Sequence, residues 1–125
     1  MPEPGQPYEI HLEEKYGKSA LIDIPADVAA CTEEWFNQTL TTVNEAMVRL
    51  GIVKGEFHWH THEEEDEFFL VLEGRLLLDV EGRGTVALGR HQAYTVPRGV
   101  SHRPRAPERT VILMIEPRGV VPTGD

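Results

Sequence analysis

From Phe36 onward the chain alternates short apolar runs, rich in Val, Leu, Ile, Thr and Phe, with turn-forming Gly, Pro and Asn. Runs of this length and composition read as strands joined by turns. The pattern predicts strands over Gln38–Val43, Ala46–Val53, Glu56–His62, Glu67–Leu72, Arg75–Val80, Thr85–Leu88, Ala93–Val96 and Val111–Glu116. No helical crossover separates them, so an all-β antiparallel sandwich or barrel is expected. Upstream the texture differs. Val28, Cys31 and Trp35 recur at roughly helical spacing after Pro25 and Asp27, which predicts one short helix over Asp27–Phe36. The opening M-P-E-P-G-Q-P has little to bury and is expected to fray.

Length and charge narrow the picture. A chain of 125 residues has material for one core, so a single domain is expected. Twelve Lys plus Arg against twenty-one Asp plus Glu give a net charge of −9, which repels polyphosphate and anionic lipid alike. Nucleic acid and membrane surfaces are therefore poor partners. The longest apolar stretches, Phe68–Leu72 and Val111–Ile115, fall far short of the roughly 20 residues of a membrane helix. The opening residues also lack the basic region and apolar core of a signal peptide, and a cytoplasmic protein is expected. The single cysteine, Cys31, cannot close an internal disulfide.

The chemistry concentrates in F-H-W-H-T-H-E-E-E-D-E-F-F-L-V-L-E-G, Phe57 to Gly74. His58, His60 and His62 are spaced by two, so on a strand all three imidazoles leave one face. Glu63 to Asp66 would form a four-residue hairpin loop that sets His62 opposite Glu67. Opposed residues share a face with Cβ atoms about 4.5–5.5 Å apart, close enough for His60, His62 and Glu67 to converge on one divalent metal. The face of Glu67 continues as the apolar Phe69 and Val71, so its carboxylate is expected to be partly buried and to need a cation. A second constellation is V-P-R-G-V-S-H, in which Pro97 and Gly99 set a tight turn and His102 follows as a candidate fourth ligand.

Together these residues resemble the two motifs of the cupin superfamily. His60-x-His62, four residues, Glu67, six residues and Gly74 match the first motif. Gly89, Pro97-x-Gly99 and His102 match the second, with a longer spacer after Gly89 and Ala106 in place of the motif's final Asn. The ending I-E-P-R-G-V-V-P-T-G-D is similar to that of small bacterial cupins of the mannose-6-phosphate-isomerase-like type. The resemblance implies an arm and helix over residues 1–36, a jelly-roll cupin β-barrel over 37–118 and a tail over 119–125. It also implies one divalent transition metal (Mn, Fe, Ni, Cu, Co or Zn) held by His60, His62, Glu67 and His102. His58, Phe69 and Tyr94 are expected to line a substrate pocket.

Candidate acids and bases are His58, His91 and Tyr94, and Arg49 and Arg75 could hold a substrate carboxylate. Arg98, Arg103 and Arg105 cluster around His102, where they could draw an anionic ligand to the barrel mouth or, as is expected here, offset the acidic loop at Glu63 to Asp66. Phe57, Trp59, Phe68, Leu70 and Leu72 form an outer face too apolar for water, to be covered by the N-terminal helix or by the second subunit of a homodimer. Three functions fit these residues: a metalloenzyme on a small oxygenated molecule (isomerase, lyase or dioxygenase), a metal-dependent binding or sensing protein, and a structural cupin without metal.

Overall fold

The computed structural model describes residues 8–120 and Gly124, so the expected fraying of the first seven residues lies outside the described part. The chain is mostly β. Its elements in order are β1 (Glu9–His11), α1 (Ile24–Ala30), β2 (Phe36–Val43), β3 (Ala46–Glu56), β4 (Glu67–Glu73), β5 (Leu76–Val80), β6 (Gly84–Leu88), β7 (Ala93–Val96) and β8 (His102–Pro117). The main path of the sheet runs β1-β2-β3-β8-β4-β7, while β5 pairs with β6 and β8. Among the described residues only β1 with β2 is parallel, and every other strand pair is antiparallel.

The long β8 is the spine. Its first part pairs with β5 and its second with β3 and β4, so two arms of one sheet meet along it. The sheet is not closed into a barrel among the described residues. The short edge strand β7 pairs with β4 alone, and Pro97, which has no N–H to donate, follows it at once.

Three local expectations are corrected. The helix lies earlier than Asp27–Phe36: the Asp23 side chain accepts from the Ala26 N–H at 3.1 Å, Pro25 occupies the first turn, and Cys31 is already extended with φ −95°. Asp27 therefore sits inside the first turn, where a carboxylate favours the helix, instead of capping it. The expected strand over Glu56–His62 does not form. At Gly55 the φ is +98° and the register with β8 slips, and opposite Phe57 stands Pro104, which accepts one bond at 3.0 Å and can donate none. The last strand, conversely, extends well upstream of Val111, to His102.

The larger core cluster includes Trp35, Phe57, Phe69, Val71, Leu76, Leu78, Val96, Ile112 and Met114, side chains from both arms of the sheet. Gly51 lets the strands close on it, because a Cβ there would stand 2.8 Å from Met114 and 2.9 Å from Ile112. A second cluster, Leu40, Leu50, Ile52 and Val111, lies on the other face, and Ile24, Val28 and Cys31 pack onto it with Leu72 and Leu113. The helix region thus covers the Leu72 end of that face. Phe57 departs from expectation and lies in the inner core, whereas Trp59 remains 49 % exposed.

Candidate metal centre

On β4 the residues alternate strictly: Glu67, Phe69 and Val71 are buried, and Phe68, Leu70 and Leu72 are half-buried on the opposite face. Period-2 geometry therefore carries the Glu67 carboxylate inward. Glu67 does not face His62 across a hairpin, because its partner on β7 is Val96. The histidines arrive by another route. His60 and His102 exchange both backbone bonds, each at 3.0 Å, in a single isolated bridge, and the His62 carbonyl accepts from the Gly99 N–H at 2.8 Å. The turn at Pro97–Gly99, with φ +76° at the glycine, thus anchors the irregular segment that carries His60 and His62.

The expected four residues meet. His60, His62, Glu67 and His102 each offer one ligand atom, all within 4.8 Å of one another. None of the four is more than 9 % exposed. Donor atoms sharing a divalent ion at 2.0–2.2 Å stand roughly 3–4 Å apart, so the group needs little contraction to hold one. Ring orientation supports this. His60 Nδ1 lies 3.1 Å from the His58 carbonyl and His102 Nδ1 lies 3.0 Å from the Val100 carbonyl. Each Nδ1 is then the protonated nitrogen, and in the neutral ring the lone pair is left on Nε2.

Two of the cluster's rings meet at Glu67. His102 Nε2 is 3.2 Å and His62 Nε2 is 3.4 Å from the same carboxylate oxygen, Oε1. Two ring nitrogens and one carboxylate oxygen thus crowd a single point, where a proton or a cation between them makes the contact favourable. Burial alone would raise the Glu67 carboxyl, yet hydrogen bonds with His102, His62 and Glu116 outweigh it and hold the group well below the usual carboxylate range. Burial, with the charge of His102 adding to it, holds His60 down at about 4, so its ring is neutral and ligand-competent near pH 7.

The remaining candidates fall elsewhere. Phe69 lines the cavity beside the cluster. Tyr94 pairs with Phe69 across the strands and packs on the core without lining that cavity. His58 stacks on Phe57 at 4.6 Å between ring centroids and is not one of the four grouped residues. His91 and Arg75 are exposed. Arg98 does meet the acidic loop, its backbone N–H bonding Asp66 at 2.8 Å, but Arg103 and Arg105 turn to Asp79 instead.

Two buried groups escaped the sequence reading in part. Arg49 is a candidate for holding a substrate carboxylate, but it does not line the cavity beside the cluster. It is buried with its Nε 3.4 Å from the Glu116 carboxylate, and its terminal nitrogen donates to the Val120 carbonyl at 3.2 Å. Glu116 was not singled out at all. Burial first, then the charge of Glu67, pushes its carboxyl up to about 10. Strand parity was the available signal, since Glu116 shares the inward positions of β8 with Ile112 and Met114. From the C-terminal side, Gly124 packs so closely on His60 that a Cβ would stand 2.6 Å from the His60 Cβ.

Known proteins agree with this architecture. Residues 48–116 match the family described as the cupin domain. Over 84 residues the chain is 40 % identical to the uncharacterized protein YdbB of Bacillus subtilis (strain 168), covering 67 % of this chain and 74 % of that one. A cupin-2 domain containing protein from Shewanella frigidimarina NCIMB 400 superposes with a TM-score of 0.74 at 33 % identity, over 78 % of this chain and 95 % of that chain. Protein NMB1881 from Neisseria meningitidis does so with a TM-score of 0.70 at 26 % identity, over 78 % and 99 % of the two chains. The chain belongs to the cupin domain family.

Proposed function

We propose that this cupin is a metalloenzyme that binds one divalent transition metal through His60, His62, Glu67 and His102 and acts on a small oxygenated molecule. The observation that carries the reading is the convergence of three imidazoles and one carboxylate, His60, His62, His102 and Glu67, whose ligand atoms all lie within 4.8 Å of one another. Such a donor set suits Mn, Fe, Co, Ni, Cu or Zn. A bound ion would supply Lewis acidity toward a carbonyl or hydroxyl oxygen, or dioxygen chemistry if it is iron. The chain's own residues fix the rings through the His58 and Val100 carbonyls, shield the site from water and hold a neutral carboxyl, Glu116, beside Glu67. Isomerase, lyase and dioxygenase reactions all fit this arrangement, the first following the likeness to mannose-6-phosphate-isomerase-like cupins.

Ligand binding without turnover is the second reading, favoured by the small cavity of about 30 Å³ and its largely apolar lining. In either case we read the open sheet as a jelly-roll arrangement of the family, working in the cytoplasm. A homodimer would bury the outer apolar positions Phe68, Leu70 and Ile115, and neither nucleic acid nor membrane is a partner. The test is elemental analysis of protein purified without tag or added metal. About one equivalent in the wild type, lost in both His62→Ala and Glu67→Ala, is expected; a wild type that holds none and cannot be loaded overturns the reading. Static light scattering at micromolar concentration tests the dimer, and a monomer would count against it.

A further inference from the structure

Strands β4 and β8 are antiparallel with Phe68 opposite Ile115, so the next pair along that register is Glu67 and Glu116. Both occupy inward positions, where opposed residues stand with Cβ atoms about 4.5–5.5 Å apart. Their carboxyls share a hydrogen bond. Glu116 is also opposite Met47 on β3, and Arg49, two residues further on that strand, brings its Nε to 3.4 Å from Glu116 Oε1. The guanidinium is itself fixed, its Nη2 donating to the Val120 carbonyl at 3.2 Å and to the Met47 sulfur at 3.6 Å. Arg49, Glu116 and Glu67 thus form a line of three buried groups, none more than 4 % exposed.

Stability does not explain that line. Taking a guanidinium and a carboxyl out of water costs more than their attraction readily returns, and apolar residues of similar volume commonly serve as well or better. Here the return is lower still, because Arg49 Nε and Nη1 are buried without a hydrogen-bond partner among the described residues. The strands that carry the pair are already joined by the ladders of β3 and β4 with β8. What the pair does reach is the one carboxylate of the metal cluster. Glu67 turns Oε1 to His102 at 3.2 Å and to His62 at 3.4 Å, an aim that a side chain with rotatable bonds keeps only when a neighbour holds it. Hydrogen-bonded partners of a ligating carboxylate serve that purpose in metal sites generally.

We propose that Glu116 is a positioning residue for the metal ligand Glu67, anchored by Arg49 on one side and fixing the Glu67 carboxylate in its ligating orientation on the other. This rests on the metal reading above. The role asks for reach and a donor, not for charge. Glu116→Gln keeps both, with an amide oxygen for Arg49 and an amide N–H for Glu67. Glu116→Asp keeps the carboxyl and its ion pair but withdraws the group from Glu67 by one methylene. The double exchange Arg49→Met with Glu116→Leu removes the line while keeping the interior filled.

The probe is zinc, its affinity measured by competition with a chelator, and cobalt in its place reports the ligand geometry through its visible spectrum. The melting temperature of the metal-free protein identifies which variants are folded. Glu116→Gln is expected to rescue the site, with zinc affinity within about threefold of the wild type, less than the worth of a typical hydrogen bond, and an unchanged cobalt spectrum. Glu116→Asp and the double variant should each bind zinc about 10- to 100-fold more weakly, with an altered cobalt spectrum, although metal-free protein stays folded. A pair that serves the fold alone would leave zinc affinity unchanged in every folded variant, and one that acts through charge would spare Glu116→Asp and not Glu116→Gln. Either result overturns the proposal, as does a loss in Glu116→Gln equal to that in Glu116→Asp, and the two single variants decide this even if the double variant does not fold. A wild type that binds no metal overturns the metal reading and this role together, whereas a wild type that binds zinc no better than Glu116→Asp overturns the positioning role alone.

Discussion

Consecutive residues of β8 serve two clusters that handle a buried carboxylate in opposite ways. His102 points inward to Glu67, whereas Arg103 and Arg105 point outward to Asp79. Asp79 is saturated. It accepts from Arg103 Nε at 3.0 Å, from Arg105 Nε at 2.7 Å, from both terminal guanidinium nitrogens at 2.8 Å and from Thr85 at 2.7 Å. Its partners are permanent cations with no lone pair to offer, so the cluster closes on itself and pins β5, β6 and β8 together. Glu67 is surrounded instead by imidazoles, whose free nitrogens are acceptors when neutral. Both carboxyls are held below their ordinary range, by guanidiniums for Asp79 and by imidazoles and Glu116 for Glu67. The partner's spare valence, not the depressed carboxyl, separates a structural ion cluster from a candidate metal site.

Exchanging the two acids for their amides should break this comparison most sharply. Glu67→Gln is expected to lower metal affinity by at least ~100-fold, beyond the roughly 10–100-fold typical of residues that only support a ligand, with little change in the fold. Equilibrium dialysis followed by elemental analysis measures it. Metal removal by a chelator should likewise lower the melting temperature of the wild type and leave that of Glu67→Gln in place, since only a metal that binds the native state stabilises it. Asp79→Asn should do the reverse. Metal content is retained, and stability falls by about 2 kcal/mol, the scale of hydrogen bonds to a charged group, as read by urea unfolding.

The same pair carries a pH signature. Asp79 has its folded value depressed, chiefly by its bond from Arg105. Its contribution is therefore present above the unfolded value, about 3.9, and is lost as pH falls through that value toward the folded one. The stability gap between the wild type and Asp79→Asn should be full near neutrality and shrink in urea titrations below pH about 4. A gap that persists unchanged in acid would show that packing, not charge, holds this corner.

Smaller effects sharpen the contrast from the third buried acid and from the surface. Glu116 is neutral near pH 7 because burial and the charge of Glu67 raise it. Glu116→Gln should therefore change stability by less than about 1 kcal/mol, the net scale of one hydrogen bond, while the same exchange at Glu67 is expected to lower metal affinity by ~100-fold or more. Trp59, about half exposed, stacks with Arg103 at 5.4 Å. Trp59→Ala should cost no more than about 0.5–1 kcal/mol, the range of an exposed cation–π pair, again by urea unfolding.

Much of this was legible residue by residue. Period-2 alternation placed Glu67, Phe69 and Val71 on one face, and that parity is local backbone geometry that tertiary context left intact. The four candidate ligands met as the two motifs implied. The way they met was not legible, because a hairpin between His62 and Glu67 was the nearest solution in sequence and β4 found its partners in β7 and β8. Gly55 and Pro104, far apart in the chain, together deny the histidine segment a continuous ladder, and only their juxtaposition shows it. The helix moved for a simpler reason, the capping side chain of Asp23, which outcompeted the periodicity that pointed to Trp35.

By itself the sequence determined the strand-rich character of the chain, the inward face of β4 and the identity of four residues able to share a metal, since each depends on local spacing and residue chemistry. Tertiary structure alone decided that Tyr8, Asn37 and Trp35 would line the same cavity as His60 and Glu67, and that Arg49 would be buried against Glu116. It also decided which guanidiniums answer Asp79 and which answers the acidic loop. These are pairings between residues distant in the chain, set by strand register and by the exclusion of water from the interior. No period or motif in a one-dimensional pattern encodes which distant side chain will be left to satisfy a buried polar atom.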